Sequence, residues 1–466
     1  MTRAAAVAPG APPGPRAYPL VGVFPRARRD PLRFFLESAR TYGDVVALPL
    51  GTHRVYLVSH PDLVGHVLQE TSGLLRKHPS AGRIRPLFGD SLTTVDGDEW
   101  RRRRRLMRPA FQPQRLTAAV PAIVEVAGAM LERWRGRAEP DAPLDAFAEM
   151  TEVTRAILLR LVFGDVPEHE AREVGQALTL AVEHVNRGLW SPLGWLERFT
   201  VTRAPRYARA LATLDAFVSR RVAEGRRGGH ADGGLLSVLL EARGEERGGA
   251  LSPAELRDEV KALFVAGHTT TAAGLAWVWH LLSQDPGTRR RLGEEVHAVL
   301  ATRTPGAEDL SALPHTRMVI EEALRLYPPT WVTARTTADH LDLGGYRIPA
   351  GAIVLLSPFV THRHPLFWDD PERFDPGRFA PERSAGRARF AYFPFGGGPR
   401  ACIGSALALI EMQIIVAMVA QRYELTAAPG GRVEPEPGIT LRPRHGVTLA
   451  LRPTGGVGPR ALDPPA

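Results

Sequence analysis

The stretch from Ser252 to Asp285 limits what this 466-residue chain can fold into more than any other part of it. Ser252 stands as N-cap, Pro253 at the first helical position and Glu255 three residues past the cap, the spacing of a capping box. The helical pattern then runs on to Gln284, where Asp285-Pro286 stops it. At 1.5 Å per residue such a helix is about 48 Å long. It crosses a whole domain, so the rest of the chain must pack around it. Further helical patterns occupy the first two thirds, with short strands near each end. Residues 45–50 and 54–59, joined at Gly51-Thr52-His53, read as a hairpin, and 341–343 with 345–356 add more sheet. The predicted class is mainly α with small β-sheets (α+β), a single fold over residues 20–452. Pro- and Gly-rich ends at 1–19 and 453–466 are expected to be flexible, and residues 225–234 and 244–249 to be surface loops.

A net charge of +9 invites a nucleic-acid partner, but its distribution argues against one. Only Lys77 and Lys261 are lysines, and apart from Arg101 to Arg105 the arginines are scattered among acids, as in a protein of a GC-rich bacterial genome. No apolar run approaches the roughly 20 residues of a membrane span. The N-terminus also lacks the continuous apolar core of a secretory signal. A soluble, cytoplasmic protein without a nucleic-acid partner is expected.

Cys402 is the only cysteine, so it forms no internal disulfide. It is an apolar filler, an exposed thiol, or a ligand or nucleophile. Its setting is Phe393-Pro394-Phe395-Gly396-Gly397-Gly398-Pro399-Arg400-Ala401-Cys402-Ile403-Gly404, followed by an apolar helical stretch. Gly396-x-Gly398-x-x-Ala401, with Glu424 about 20 residues on, mimics a dinucleotide fingerprint. Pro394 interrupts the preceding strand, however, Pro399 removes an amide the pyrophosphate needs, and too few residues follow for a doubly wound sheet. A ligand site uses the whole segment instead. The glycines let the backbone fold tightly beside a flat macrocycle, Arg400 can pair with a carboxylate, and a cysteine where a helix begins is favoured as thiolate by the macrodipole and nearby amides.

The pattern Phe395-x-x-Gly398-x-Arg400-x-Cys402-x-Gly404 resembles the haem-binding signature of the cytochrome P450 superfamily, and the likeness extends over residues 12–452. It implies haem b with Cys402 as axial thiolate, which promotes O–O cleavage. In the long helix, Ala266-Gly267-His268-Thr269-Thr270 resembles the family's oxygen-binding segment. Ala266 and Gly267 would leave space for dioxygen and let the helix kink, and Thr270 would hold water for proton delivery. The position before that threonine is acidic in the family and is Thr269 here, while His268 occupies a variable position. Glu322-Ala323-Leu324-Arg325 resembles the family's Glu-x-x-Arg pair, with Arg373 of Pro371-Glu372-Arg373-Phe374 as the expected third member of a structural ionic network. Trp100, Arg104 and Arg335 match propionate contacts, and His362-Arg363 matches a pair near the cofactor.

The same resemblance maps the substrate pocket to Leu92, Thr93 and Thr94, Leu263 to Ala266, Val332, Thr333, Ile439 and Thr440, none of them formally charged. Such a pocket suits a lipophilic neutral molecule, for instance a terpenoid, steroid or polyketide of secondary metabolism. Arg101, Arg105 and Arg108 fall on the outer flank of their helix, either as a solvated face or as a docking patch for an acidic ferredoxin. No flavin, iron–sulfur or nicotinamide domain is visible, so electrons are expected from a ferredoxin and its reductase, or a flavodoxin-type donor, acting on a monomer. The alternatives within this reading are a peroxide-driven or non-hydroxylating enzyme, and a haem-thiolate sensor without turnover.

Overall fold

The computed structural model describes residues 10–50, 53–78, 81–136, 142–189, 205–227, 234–242, 249–428 and 432–454. Its axis is the helix Pro253–Gln284, closed by the capping box read from the sequence. The Ser252 hydroxyl accepts from the Glu255 amide, and the Glu255 carboxylate accepts from the Ser252 amide at 2.7 Å. Asp285 ends this helix and caps the next, Pro286–Leu300, by accepting from the Thr288 amide.

Helices Pro113–Arg135, Ala146–Phe163, Pro314–Leu326 and Ser405–Arg422 assemble with the second half of the long helix. There Leu275, Trp279 and Leu282 are packed in one core with Ile123, Met130, Trp134, Ile415 and Val416. A second core joins Phe264 of its first half to Phe163, Leu178, Leu214 and Phe217. Because the second half of the long helix is surrounded on most sides, the run from Ala272 to Trp279 is apolar all round rather than along one stripe. Ser405–Arg422 is, among the described residues, the one helix long and apolar enough to cross a membrane, and it lies in the first core.

The main sheet has five strands in the order Val45–Ala47, Val55–Val58, Ile353–Leu356, Thr333–Thr337, Leu75–Lys77. Val45–Ala47 and Val55–Val58 are antiparallel as expected, with the turn at Gly51-Thr52 outside the described residues. Ile353–Leu356 runs parallel to Val55–Val58, while Leu341–Leu343 and Tyr346–Ile348 form a separate hairpin. The register sets Lys77 directly opposite Arg335.

The N-terminal boundary differs from expectation. Pro12 and Pro15 are buried, and the Pro13 carbonyl accepts from the Ala47 amide at 2.8 Å. The chain is therefore docked on the sheet well before residue 20, because prolines without amide protons still offer carbonyls to an edge strand. At the other end the strand Thr448–Pro453 is followed by a Thr454 amide bonded to the Arg422 carbonyl at 3.0 Å. Residues 1–9 and 455–466, and most of the two predicted Gly-rich loops, lie outside the described residues.

Candidate active site

The segment before Ser405–Arg422 folds back on itself in three short steps. Gly396 N–H donates to the Phe393 carbonyl, Ala401 N–H to Gly398, and Cys402 N–H to Phe395 at 2.9 Å. Gly398 has φ +65°, and a Cβ there would lie 2.1 Å from the Leu68 carbonyl oxygen, so only glycine fits. Cys402 sits three residues ahead of the helix, deep inside the molecule with its side chain left exposed. Burial pushes its thiol up, against the Gly404 amide and the Arg104 guanidinium, which pull it down. The stabilisation expected from a helix start is thus present but outweighed in the protein alone. A coordinated metal cation would reverse that balance, since a ligating thiol is deprotonated outright.

Beside the cysteine loop lies a cluster of cations with too few anions. Lys77 and Arg335 are cross-strand partners, an arrangement that like charges disfavour. Arg400 joins them, its guanidinium 4.8 Å from the Trp100 ring and bonded to Asp96. Lys77 is pushed down to about 7 by burial, with Arg400 and Arg335 adding to the shift and Asp96 opposing it. Arg335 is pushed down to about 10 by burial and by Arg400. Burial works against the Asp96 carboxylate, but its bonds from Arg400 and from the Lys77 and Gly97 amides more than compensate, and it stays below the ordinary carboxylate range. Arg400 Nη1 is buried without a partner. A bound group bearing carboxylates would supply the missing negative charge and the missing acceptor. Arg104, half-buried on the same helix face as Trp100, lies close enough to Cys402 to feel its charge. Nothing in the sequence pattern singles out Lys77 as a member of this cluster, except that lysine occurs only twice.

Glu322 and Arg325 are both fully buried and joined by two bonds, of 2.7 and 2.8 Å. Arg325 also donates to the carbonyls of His362, Pro371 and Arg373, at 2.9, 2.7 and 3.1 Å. The expected third member is corrected here. The Arg373 side chain is exposed and only its carbonyl takes part, whereas the buried Arg378 approaches Glu322 at 3.4 Å and donates to the Asp369 and Asp370 carbonyls. Two Arg-Phe pairs stand five residues apart, and the 3-10 turn Pro376–Phe379 carries the second one inward. His362 bridges this network to the cysteine loop. Its Nδ1 lies 3.2 Å from the Arg325 carbonyl and its Nε2 accepts from Phe393 N–H at 2.9 Å. These partners fix a neutral ring, and burial, with Arg325 next, pushes it well below the ordinary histidine range. Arg363 is bonded to Glu372 and lies over the Phe359 ring.

On the long helix, Ala266 is exposed although it lies mid-helix, and Thr270, half-buried one turn on, donates its hydroxyl to the Ala266 carbonyl at 2.7 Å. Thr269 does the same to Val265 at 3.4 Å. Gly267 differs from expectation. A Cβ there would lie 2.9 Å from Leu158, so the glycine serves close packing on helix Ala146–Phe163 rather than opening the pocket, and the segment remains helical. His268 is buried, its ring pushed down to about 3 by burial and by Arg155. Of the expected pocket residues, Leu92, Leu263 and Ile439 pack against the second core while Val332 packs against the sheet's inner cluster. Thr93 is exposed, Thr333 accepts from Arg335 at 3.3 Å, and Thr440 is buried with an unpartnered hydroxyl.

The arginine run divides by helix face. Arg101, Arg105 and Arg108 are exposed, Arg101 bonded to Asp98. Arg102 and Arg103 turn inward to Glu99 and to Glu255 of the long helix, and Arg103 also to Glu259 at 3.3 Å.

The cytochrome P450 family model matches residues 12–449. The chain is a cytochrome P450. Cyclooctatin synthase of Streptomyces melanosporofaciens is 36% identical over 429 residues, 92% of each chain. Cyclooctat-9-en-7-ol 5-monooxygenase of the same organism is 37% identical over 417 residues, 89% of this chain and 90% of the relative. Pentalenene oxygenase of Streptomyces avermitilis is 34% identical over 422 residues, 90% and 92%. The crystal structure of the cytochrome P450DA haem domain superposes with a TM-score of 0.85 at 26% identity, covering 96% of this chain and 98% of that one. This P450 is therefore a monooxygenase of a lipophilic small molecule, with a haem iron held by cysteine.

Proposed function

We propose that this P450 hydroxylates a neutral cyclic terpenoid, using haem b bound through Cys402, and works as a soluble cytoplasmic monomer supplied by a ferredoxin and its reductase. The observation that carries the substrate class is the absence of formal charge among the pocket residues Leu92, Thr93, Leu263, Ala266, Val332, Thr333, Ile439 and Thr440, in a chain resembling enzymes named for cyclooctat-9-en-7-ol and pentalenene. Haem ligated by thiolate supplies dioxygen activation when bound.

The chain's own residues supply the rest. Arg400, Arg335, Lys77 and Arg104 neutralise the cofactor's carboxylates, while Trp100 stacks under Arg400 and holds it in place. The segment Phe395–Gly404 fixes the Cys402 backbone, with Phe395, Gly398 and Gly404 shaping the turn. Thr270 donates its hydroxyl hydrogen bond to the Ala266 carbonyl, which leaves its Oγ1 lone pairs to accept from a water that carries protons inward. Thr269 offers no acid, so protons travel along water held by hydroxyls. Apolar walls orient the substrate and exclude bulk water. Arg101, Arg105 and Arg108 offer a positive face to an acidic electron donor.

Optical titration of the ferric protein with a panel of cyclic terpenes, steroids and polyketides tests the substrate class. Terpenoids are expected to shift the iron to high spin at micromolar concentration. A response to steroids or polyketides alone would overturn it.

A further inference from the structure

The turn from Gly89 to Thr94 is held by four ionisable side chains reaching from three other elements. Asp258 and Glu259, neighbours in the long helix, take alternate amides: Asp258 Oδ2 accepts from Asp90 N–H at 2.8 Å and Glu259 Oε2 from Leu92 N–H at 3.0 Å. The carbonyls of the same two residues are taken by cations. Arg103 donates to the Asp90 carbonyl and Lys77 to the Leu92 carbonyl. Asp258, Glu259 and Arg103 are buried, and Lys77 is partly so. Gly89, at φ +62°, makes the approach feasible, since a Cβ there would lie 2.4 Å from Asp258 Cγ. Inside the turn, Thr94 Oγ1 donates to the Gly89 carbonyl and accepts from Ser91 N–H.

Connecting segments of this length are usually solvated and mobile. Burying so many ionisable groups around one turn is a poor way to gain stability, because desolvation offsets most of the attraction. It is an effective way to fix a position, because charge-assisted bonds are short and directional. What the turn presents is Leu92, at the edge of the second core with Leu263 and Ile439, and Thr93. Lys77 also belongs to the cationic cluster with Arg335 and Arg400, so cofactor carboxylates and this turn share one ammonium group.

We propose that Asp258, Glu259, Arg103 and Lys77 form an ionic cradle that holds Leu92 and Thr93 as a rigid wall of the substrate pocket, which makes Glu259 and Asp258 positioning residues for ligand selectivity. This rests on the reading that Leu92 lines the pocket. Glu259→Leu removes the acceptor for the Leu92 amide, whereas Glu259→Gln keeps an acceptor for that amide and gives up the charge and the second oxygen that faces Arg103.

Two readouts on the haem-loaded protein test it: hydrogen exchange of amides 90–94, and optical titration with imidazole and with the bulkier phenylimidazole. In Glu259→Leu, exchange is expected to rise at least about tenfold, the effect of freeing one buried amide. The preference for phenylimidazole over imidazole should fall severalfold, with Glu259→Gln close to wild type in both. Unchanged exchange in Glu259→Leu would overturn the cradle. Faster exchange with an unchanged azole preference would show that Leu92 is not a pocket wall, overturning the reading beneath it. Equal losses in both variants would assign the role to the Arg103 charge pair instead. Should Glu259→Leu not accumulate, Asp258→Leu reads the Asp90 amide by the same criteria.

Discussion

Replacing Arg378 should cripple the protein, whereas replacing Arg373 should barely register. Arg378 is buried, donates to the Asp369 and Asp370 carbonyls and lies 3.4 Å from Glu322. Arg378→Met removes both bonds: the Asp369 carbonyl loses its donor, at about 1–3 kcal/mol, while the Asp370 carbonyl keeps the Arg373 amide and loses a bond worth about 1 kcal/mol. Glu322 still keeps Arg325 and the Asp375 amide, so its charge is not stranded. The expected loss is therefore about 2–4 kcal/mol, a large fraction of the roughly 5–15 kcal/mol by which domains are stable. Arg378→Lys should recover only part of this, because an ammonium cannot span two carbonyls as a planar fork does. Arg373→Ala removes an exposed side chain whose backbone carbonyl, the group that Arg325 uses, remains. It should cost no more than about 0.5 kcal/mol. Urea titration followed by haem absorbance and far-ultraviolet circular dichroism measures both. Equal damage from Arg373→Ala and Arg378→Met would refute the assignment of the third network position.

Acid should destabilise the fold below pH 6.5. The folded-state pKa of His268 is pushed from 6.5 down to about 3, and that of His362 falls well below its ordinary value, so the unfolded chain binds protons more readily. Neither histidine affects stability above pH 6.5, and each removes about 1.4 kcal/mol per pH unit as pH falls below it, for His268 until about pH 3. Urea midpoints that stay flat from pH 7 to about pH 5 would contradict this. Thr270→Ala should raise peroxide released per reductant consumed severalfold while Thr270→Ser does not, and unchanged coupling would remove Thr270 from proton delivery. Charge reversal at Arg101 and Arg105 should slow reduction by ferredoxin most strongly at low salt. A rate unaffected across salt concentrations would leave those arginines as a solvated face.

Local rules made some features legible and not others. The long helix was readable end to end because its cap, its first proline and its stop are chemical signals carried within a few residues. The turn at Cys402 was readable because Gly398 and its neighbours have few substitutes there. Glu322 and Arg325 share one helical turn, so their pairing needed no knowledge of the fold. Arg373 and Arg378 could not be told apart from sequence, since each precedes a phenylalanine and only tertiary burial distinguishes them. The role of Gly267 is not legible in the sequence because glycine marks a close approach without saying to what, and the approaching group is Leu158. The cradle around Leu92 was invisible because its four side chains, spread from Lys77 to Glu259, meet only once helix, strand and turn are assembled.

The whole site depends on Cys402 as the thiolate ligand of the iron. Cys402→Ser, reconstituted with haem, reduced and exposed to carbon monoxide, tests it directly. The wild type should show the strongly red-shifted Soret band of a thiolate-ligated ferrous carbonyl, and the serine variant should lose it entirely. A variant that retained that band would contradict the assignment, since the chain holds no other cysteine to supply the sulfur.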